Sequence, residues 1–253
     1  MKIRVSCVLC LAGGTLIAGS GLNERGHVLH AQEARLATSP VVAARPGSLE
    51  RFLADTGSPL VSYSAIRRLS VAARGGKMVA TLTARATLDD VSGFDFVVLD
   101  ESGSSLLRSR VLHGVLEAER EAKRREKGAH GALTPANYTF DGGEMTPEGL
   151  FRVGIHPKRK DSLLMEGSIL LTPDAGDLVQ LEGLLVKRPS FWTRKVQIVR
   201  NYGRIGGVRV PLSTDSTSDI LFAGQSSFKM SYEYEVINDV AVHTQPTISQ
   251  ARR

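Results

Sequence analysis

Cysteine is nearly absent from this chain. Its two cysteines, Cys7 and Cys10, both lie in the first ten of 253 residues. If that segment is removed, the remainder has no disulfide framework, no thiolate metal site and no cysteine nucleophile. Long apolar runs are also lacking. After residue 17 no stretch is long enough to span a bilayer as a helix. The chain has no HExxH motif and no Asp-rich calcium loop, so the common hydrolytic and calcium-binding metal sites have no sequence support. Ser168, in Glu166-Gly167-Ser168-Ile169, lacks the second glycine of a nucleophile elbow because residue 170 is Leu. Gly203-Arg204-Ile205-Gly206-Gly207 is not followed by a helix that could receive a pyrophosphate, so it reads as a β-turn.

The net charge is +6, but the basic residues are scattered. The densest group, Lys123, Arg124, Arg125 and Lys127, is interleaved with Glu117, Glu119, Glu121 and Glu126, which is the pattern of a solvated helix face. Without a focused basic patch, nucleic acid is not an expected partner. His113, Glu117 and Glu121 share one helical face, and an ordinary polar face is the plainer reading than a metal site. Asp141, Glu144 and Glu148 sit in a Gly- and Pro-containing loop and read as solvated acids. Asn137-Tyr138-Thr139 fits a glycosylation acceptor, relevant only to a eukaryotic secretory route. The sequence carries no enzyme signature and implies no cofactor.

The N-terminus carries the marks of export. Lys2 and Arg4 precede an apolar stretch from Val5 to Ile17, followed by small residues. Residues 1–31 read as a signal peptide cleaved after Ala31, with Ser20 as the alternative position. Residues 32–47 read as a flexible lead-in, 48–240 as a single β-rich domain and 241–253 as a disordered tail. The expected location is periplasmic or secreted.

Within the domain, a short helix is expected at 48–55 with Ser48 as N-cap and Leu49, Phe52 and Leu53 inward. Tyr63, Ile66, Leu69 and Ala73 stand at helical spacing and tip 61–73 toward helix. Met78 to Leu88 alternates strictly and predicts a strand, as does Phe94 to Leu99. Glu-, Ala-, Lys- and Arg-rich 115–127 predicts a helix, supported locally by pairs such as Glu119 with Lys123. Strands are then expected at about 137–141, 150–157, 162–172, 178–188, 193–202, 208–214, 218–223 and 226–237, with well-marked short turns between them. The last is the clearest: Phe228, Met230, Tyr232, Tyr234 and Val236 alternate with Lys229, Ser231, Glu233 and Glu235.

The predicted fold is mainly β (α+β): a curved antiparallel sheet, an incomplete barrel, with a few short helices as a lid. So little helix for so many strands favours an apolar hollow. Its candidate lining is Leu82, Phe96, Phe151, Leu170, Leu185, Trp192, Phe222, Met230, Tyr232 and Tyr234. The same residues fit a closed core equally well.

The layout of Gly167-Ser168-Ile169-Leu170-Leu171-Thr172-Pro173, Leu184 to Pro189, Ser190 to Val196 and Tyr202 to Pro211 resembles the envelope lipoprotein carriers, the LolA/LolB-like half-barrels. The resemblance covers about residues 60 to 238 and is one of strand and turn order. It implies an incomplete barrel with helices over an apolar cavity, and candidate lid segments near 48–55, 62–73 and 113–127. It also implies a monomeric, non-catalytic protein that binds acyl chains of a lipid or lipoprotein, with a membrane-associated protein as donor or acceptor. The alternative is an envelope interaction module whose core is closed.

Overall fold

The computed structural model describes residues 47–55, 57–124, 131–187, 193–220 and 224–242. The signal-peptide and lead-in readings, Trp192 and Phe222 lie outside them.

Alternation of buried and exposed side chains builds the strands. β1 (Tyr63–Ala73), β2 (Met78–Asp89) and β3 (Gly93–Gly103) form a first meander. The chain then leaves the sheet through a helical turn α2 (Ser105–Leu107), a π-helical turn at Arg108–Leu112 and helix α3 (His113–Arg124). It returns through β4 (Tyr138–Phe140), β5 (Glu144–Met145), β6 (Phe151–Pro157), β7 (Met165–Leu171), β8 (Leu178–Leu185), β9 (Thr193–Ile205), β10 (Val208–Ile220), β11 (Gly224–Ile237) and β12 (Val240–Ala241). These make one 12-stranded sheet in the order β3-β2-β1-β11-β10-β9-β8-β7-β6-β4, with β12 on β11 and β5 on β6. Every pairing is antiparallel, and the sheet is not closed into a barrel. The expected class, mainly β with few helices, is the observed one.

Several local expectations are corrected. Residues 63–73 are strand, not helix: Tyr63, Ala65, Arg67, Leu69 and Val71 point inward at a period of two. β10 is one continuous strand across the proposed break at 214–218, because Ser216 and Thr217 stay in register with Phe228 and Ser227 of β11. The N-cap of α1 (Ser48–Ala54) is Gly47, while Ser48 Oγ donates to the Pro173 carbonyl at 2.7 Å. Leu53 faces solvent. Ala241, assigned to the tail, pairs with Val236.

Two tight turns fix the register. Gly206 and Gly207 both adopt positive φ (57° and 82°) between paired Ile205 and Val208, as a two-residue hairpin requires. Asn238 and Asp239 do the same between Ile237 and Val240. Gly167 and Gly183 are cross-strand neighbours inside β7 and β8. A Cβ on Gly167 would lie 2.0 Å from the Glu182 carbonyl oxygen, and one on Gly183 2.5 Å from that of Glu166. Such strand glycines mark a close approach of two backbones.

The inner face is continuous. One cross-strand row runs Val153, Ile169, Leu181, Arg200, Thr214, Met230, Leu69, Leu82. Its ends belong to two apolar clusters. One lies on β1–β3 and β11 under Leu107, Leu112, Val115 and Leu116. The other lies on β6–β9 under Phe52 of α1 and Leu133. Between them the row turns polar at Arg200 and Thr214.

Candidate functional site

The expected lining residues divide between these clusters. Leu82, Met230, Tyr232 and Tyr234 are buried in the first, with Phe96 packed at its margin. Phe151 and Leu185 pack at the margin of the second. Leu170 lies between buried Ile169 and Leu171 and points to the opposite face, so the structure does not bring it to the inner surface.

Sequence reasoning missed the polar centre of this face. Arg67, on β1, is 1% exposed. Its Nη1 and Nη2 donate to Glu119 Oε2 and Oε1 of α3 at 2.5 and 3.0 Å, the two-pronged geometry that suits a guanidinium and a carboxylate. Nη2 also donates to the Tyr63 hydroxyl. The guanidinium lies 4.8 Å from the ring centroids of both Phe94 and Tyr232. Burial opposes charge on Arg67, but the Glu119 carboxylate outweighs it and holds the group well above its ordinary pKa. Arg67 Nε is buried without a hydrogen-bond partner.

Tyrosines frame this pair. Tyr232 stacks on Tyr234 at 6.0 Å, and Tyr63 meets Tyr234 edge-on at 5.7 Å. Burial pushes the Tyr63, Tyr232 and Tyr234 hydroxyls up, so all three stay neutral. Lys123, one turn beyond Glu119, is held down by burial, with Glu119 acting in the opposite sense. A crevice of about 10 Å³ lies among Leu60, Tyr63, Arg67, Leu88, Glu119, Lys123, Pro211, Tyr232 and Tyr234. That volume is at the lower limit for one water molecule.

Glu119 is therefore not the solvated helix-face acid expected from its neighbours. The missed signal is a lone Arg in the inward series of β1; Glu119, between Glu117 and Glu121 on α3, gave none.

Polar contacts also hold both roof helices at their margins. On α3, Arg120 donates to Asp95 of β3 at 3.0 Å and lies 5.1 Å from the Phe96 ring. At the π-helical turn, Glu101 accepts from Arg108 at 2.5 Å and meets His113 Nε2 at 2.7 Å; Glu117 pairs with Arg120. On α1, Arg51 donates to the Pro173 carbonyl at 2.6 Å. Asp55 accepts from Arg204 at 2.8 Å and from Arg209, and these partners overcome burial to hold its carboxyl below the ordinary range.

On the other face, His156 Nε2 meets Asp141 at 2.7 Å and its Nδ1 meets Glu166 at 3.4 Å; Asp141 first, then Glu166, raise its pKa. Asn137 is buried with Nδ2 donating to the Ala132 carbonyl at 2.8 Å, which places the glycosylation acceptor out of reach. Among the described residues no group of three or more His, Cys, Asp and Glu side chains is placed to hold a metal ion, and no described helix is long and apolar enough to cross a membrane.

Comparison with known proteins returned no match, whether to a protein-family model, a curated protein or a solved structure.

Proposed function

We propose that this chain is an exported, non-catalytic holder or carrier of acyl chains, of the envelope lipoprotein-carrier type, and that its binding surface is the inner face beneath α3. The observation that carries this reading is the mismatch between roof and floor. The floor is a broad apolar surface that includes Leu69, Leu82, Phe94, Met230 and Tyr234. The helix above it buries only Val115, Leu116 and Glu119.

Magnitudes favour a roof that can lift. Burying one Val and one Leu stabilises by about 2–3 kcal/mol each, so about 5 kcal/mol together. The Arg67–Glu119 pair adds little net, because desolvating two charges costs about what their attraction returns. An acyl chain gains about 0.8 kcal/mol per buried methylene, so six or seven methylenes replace what α3 supplies. The π-helical turn before α3, a feature often found at functional positions, is the natural pivot.

A second reading has its own support. The crevice of about 10 Å³ shows side chains meeting closely at this site, as in an interaction module with a filled core.

Native mass spectrometry and solvent extraction of the purified full chain separate the two. Co-purifying acyl lipid, or saturable uptake of palmitate with increased proteolytic cleavage in α3, is the expected result. A protein that yields no lipid and takes up no palmitate while α3 stays protected overturns the carrier reading in favour of the module.

A further inference from the structure

Among the described residues three charged side chains are buried: Arg67, Glu119 and Arg200. The first two neutralise each other. Arg200, 5% exposed in the middle of β9, has no carboxylate partner among the described residues. Its Nε donates to Thr214 Oγ1 at 3.1 Å. A guanidinium does not shed its proton, so this charge persists where it is buried. Buried charges are ordinarily paired with an opposite charge; Arg200, hydrogen-bonded to the neutral hydroxyls of Thr214 and Tyr202, has none beside it, which leaves that role to an anion.

The surroundings suit one. Burial opposes charge on Arg200, but Tyr202, Tyr232 and Glu119 outweigh it. Tyr232 is also the ring beneath Arg67, its cross-strand partner on β1. Arg200 thus lies three strands from Arg67 on the same face, with Tyr232 between them, and Glu119 of α3 acts electrostatically on both. The only buried carboxylate among the described residues sits on the helix proposed to lift. When α3 leaves, it takes that carboxylate away from both guanidiniums.

We propose that Arg200 seats an anionic head group, a carboxylate or phosphate at the end of the acyl ligand, which replaces Glu119 as the counter-charge of the inner face when α3 lifts. The inference rests on the acyl-binding reading above. It adds that the ligand is an anionic amphiphile, with its head at the polar seam and its chain over the apolar cluster beside it.

The test compares palmitate, hexadecyl phosphate, hexadecanol and inorganic phosphate as ligands of the delipidated full chain and of its Arg200→Met and Arg200→Lys variants. In the parent, both anionic amphiphiles are expected to bind at least about tenfold tighter than hexadecanol, the effect of a charge-assisted hydrogen bond. Arg200→Met is expected to abolish that preference while still binding hexadecanol, and Arg200→Lys to keep most of it. Removing an unpaired buried charge should leave the unfolding midpoint of Arg200→Met at or above that of the parent, so lost preference is not lost folding. Equal binding of palmitate and hexadecanol by the parent, or an undiminished preference in Arg200→Met, overturns the inference and leaves acyl binding standing. If no amphiphile binds, the acyl reading itself fails. The anion seat then survives only if inorganic phosphate raises the unfolding midpoint of the parent and not of Arg200→Met.

Discussion

The two halves of the inner face are built differently. On β6–β8, Val153, Ile155 and Ile169 are fully buried and pack with Leu164 and Met165, and no described charged side chain is buried there. On β1 and β11, an equally apolar floor is interrupted by Arg67 and roofed by a helix that reaches it through Glu119. The first half has what a stable core needs. The second has a polar clasp where a third apolar contact would have been simpler. A filled apolar core and the cover proposed to lift therefore lie at opposite ends of one sheet.

The comparison breaks most visibly at the clasp. Glu119→Gln leaves Arg67 buried without its counter-charge, and urea unfolding is expected to show a loss of about 3–5 kcal/mol. Ile169→Ala, in the other half, is expected to lose about 3 kcal/mol through its cavity without changing palmitate binding. If Ile169→Ala instead abolishes binding at unchanged fold, the halves are not separable. Replacing both partners, Arg67→Met with Glu119→Leu, is expected to return stability to within about 1–2 kcal/mol of the parent. The same double variant should slow hydrogen exchange in α3 and slow palmitate uptake, because the cover then becomes apolar throughout.

Two smaller effects depend on pH. Asp55 is held below its ordinary value of 3.8, so its contribution to anchoring α1 is present above that pH and fades as pH falls through the lowered value. Asp55→Asn is expected to cost about 1 kcal/mol at pH 7 and to remove that acid sensitivity, read as urea midpoints at pH 7 and pH 3. His156 is held above its ordinary 6.5, so its contribution is complete below that pH and is lost as pH rises through the raised value. His156→Gln should therefore lower the thermal midpoint at pH 5.5 and leave it unchanged at pH 8.5.

How much of this was legible in the sequence follows the same division. Strands whose inward series is wholly apolar were readable: Ala80, Leu82, Ala84, Ala86 and Leu88 in β2, and Phe228 to Tyr234 in β11. The errors that bear on the site fall at buried polar side chains. Arg67 broke the period-two series of β1, so Ile66, which points outward, was recruited to a false helical spacing. Thr214 and Ser216 made an unbroken strand look like two. Glu119 sat among solvated acids and bases and carried no local sign that its partner lay 52 residues away. Hydrophobic patterning assigns a polar residue to water, so it fails wherever polar groups are buried against each other. Those are the positions on which the candidate site depends.

An open sheet has two rims, and each leaves backbone donors and acceptors available to another chain. Here β4 is three residues long, too short to template much pairing. The longer rim, β3, carries Asp95, Asp100 and Glu101 among its apolar residues. Asp95 pairs with Arg120 and Glu101 with Arg108, so a second molecule brought rim to rim would meet a row of charged side chains and not a bare apolar edge. The gap that keeps this sheet from closing on itself is thus guarded against being closed by a neighbour, and replacing those acids with apolar residues should make copies of the chain stack.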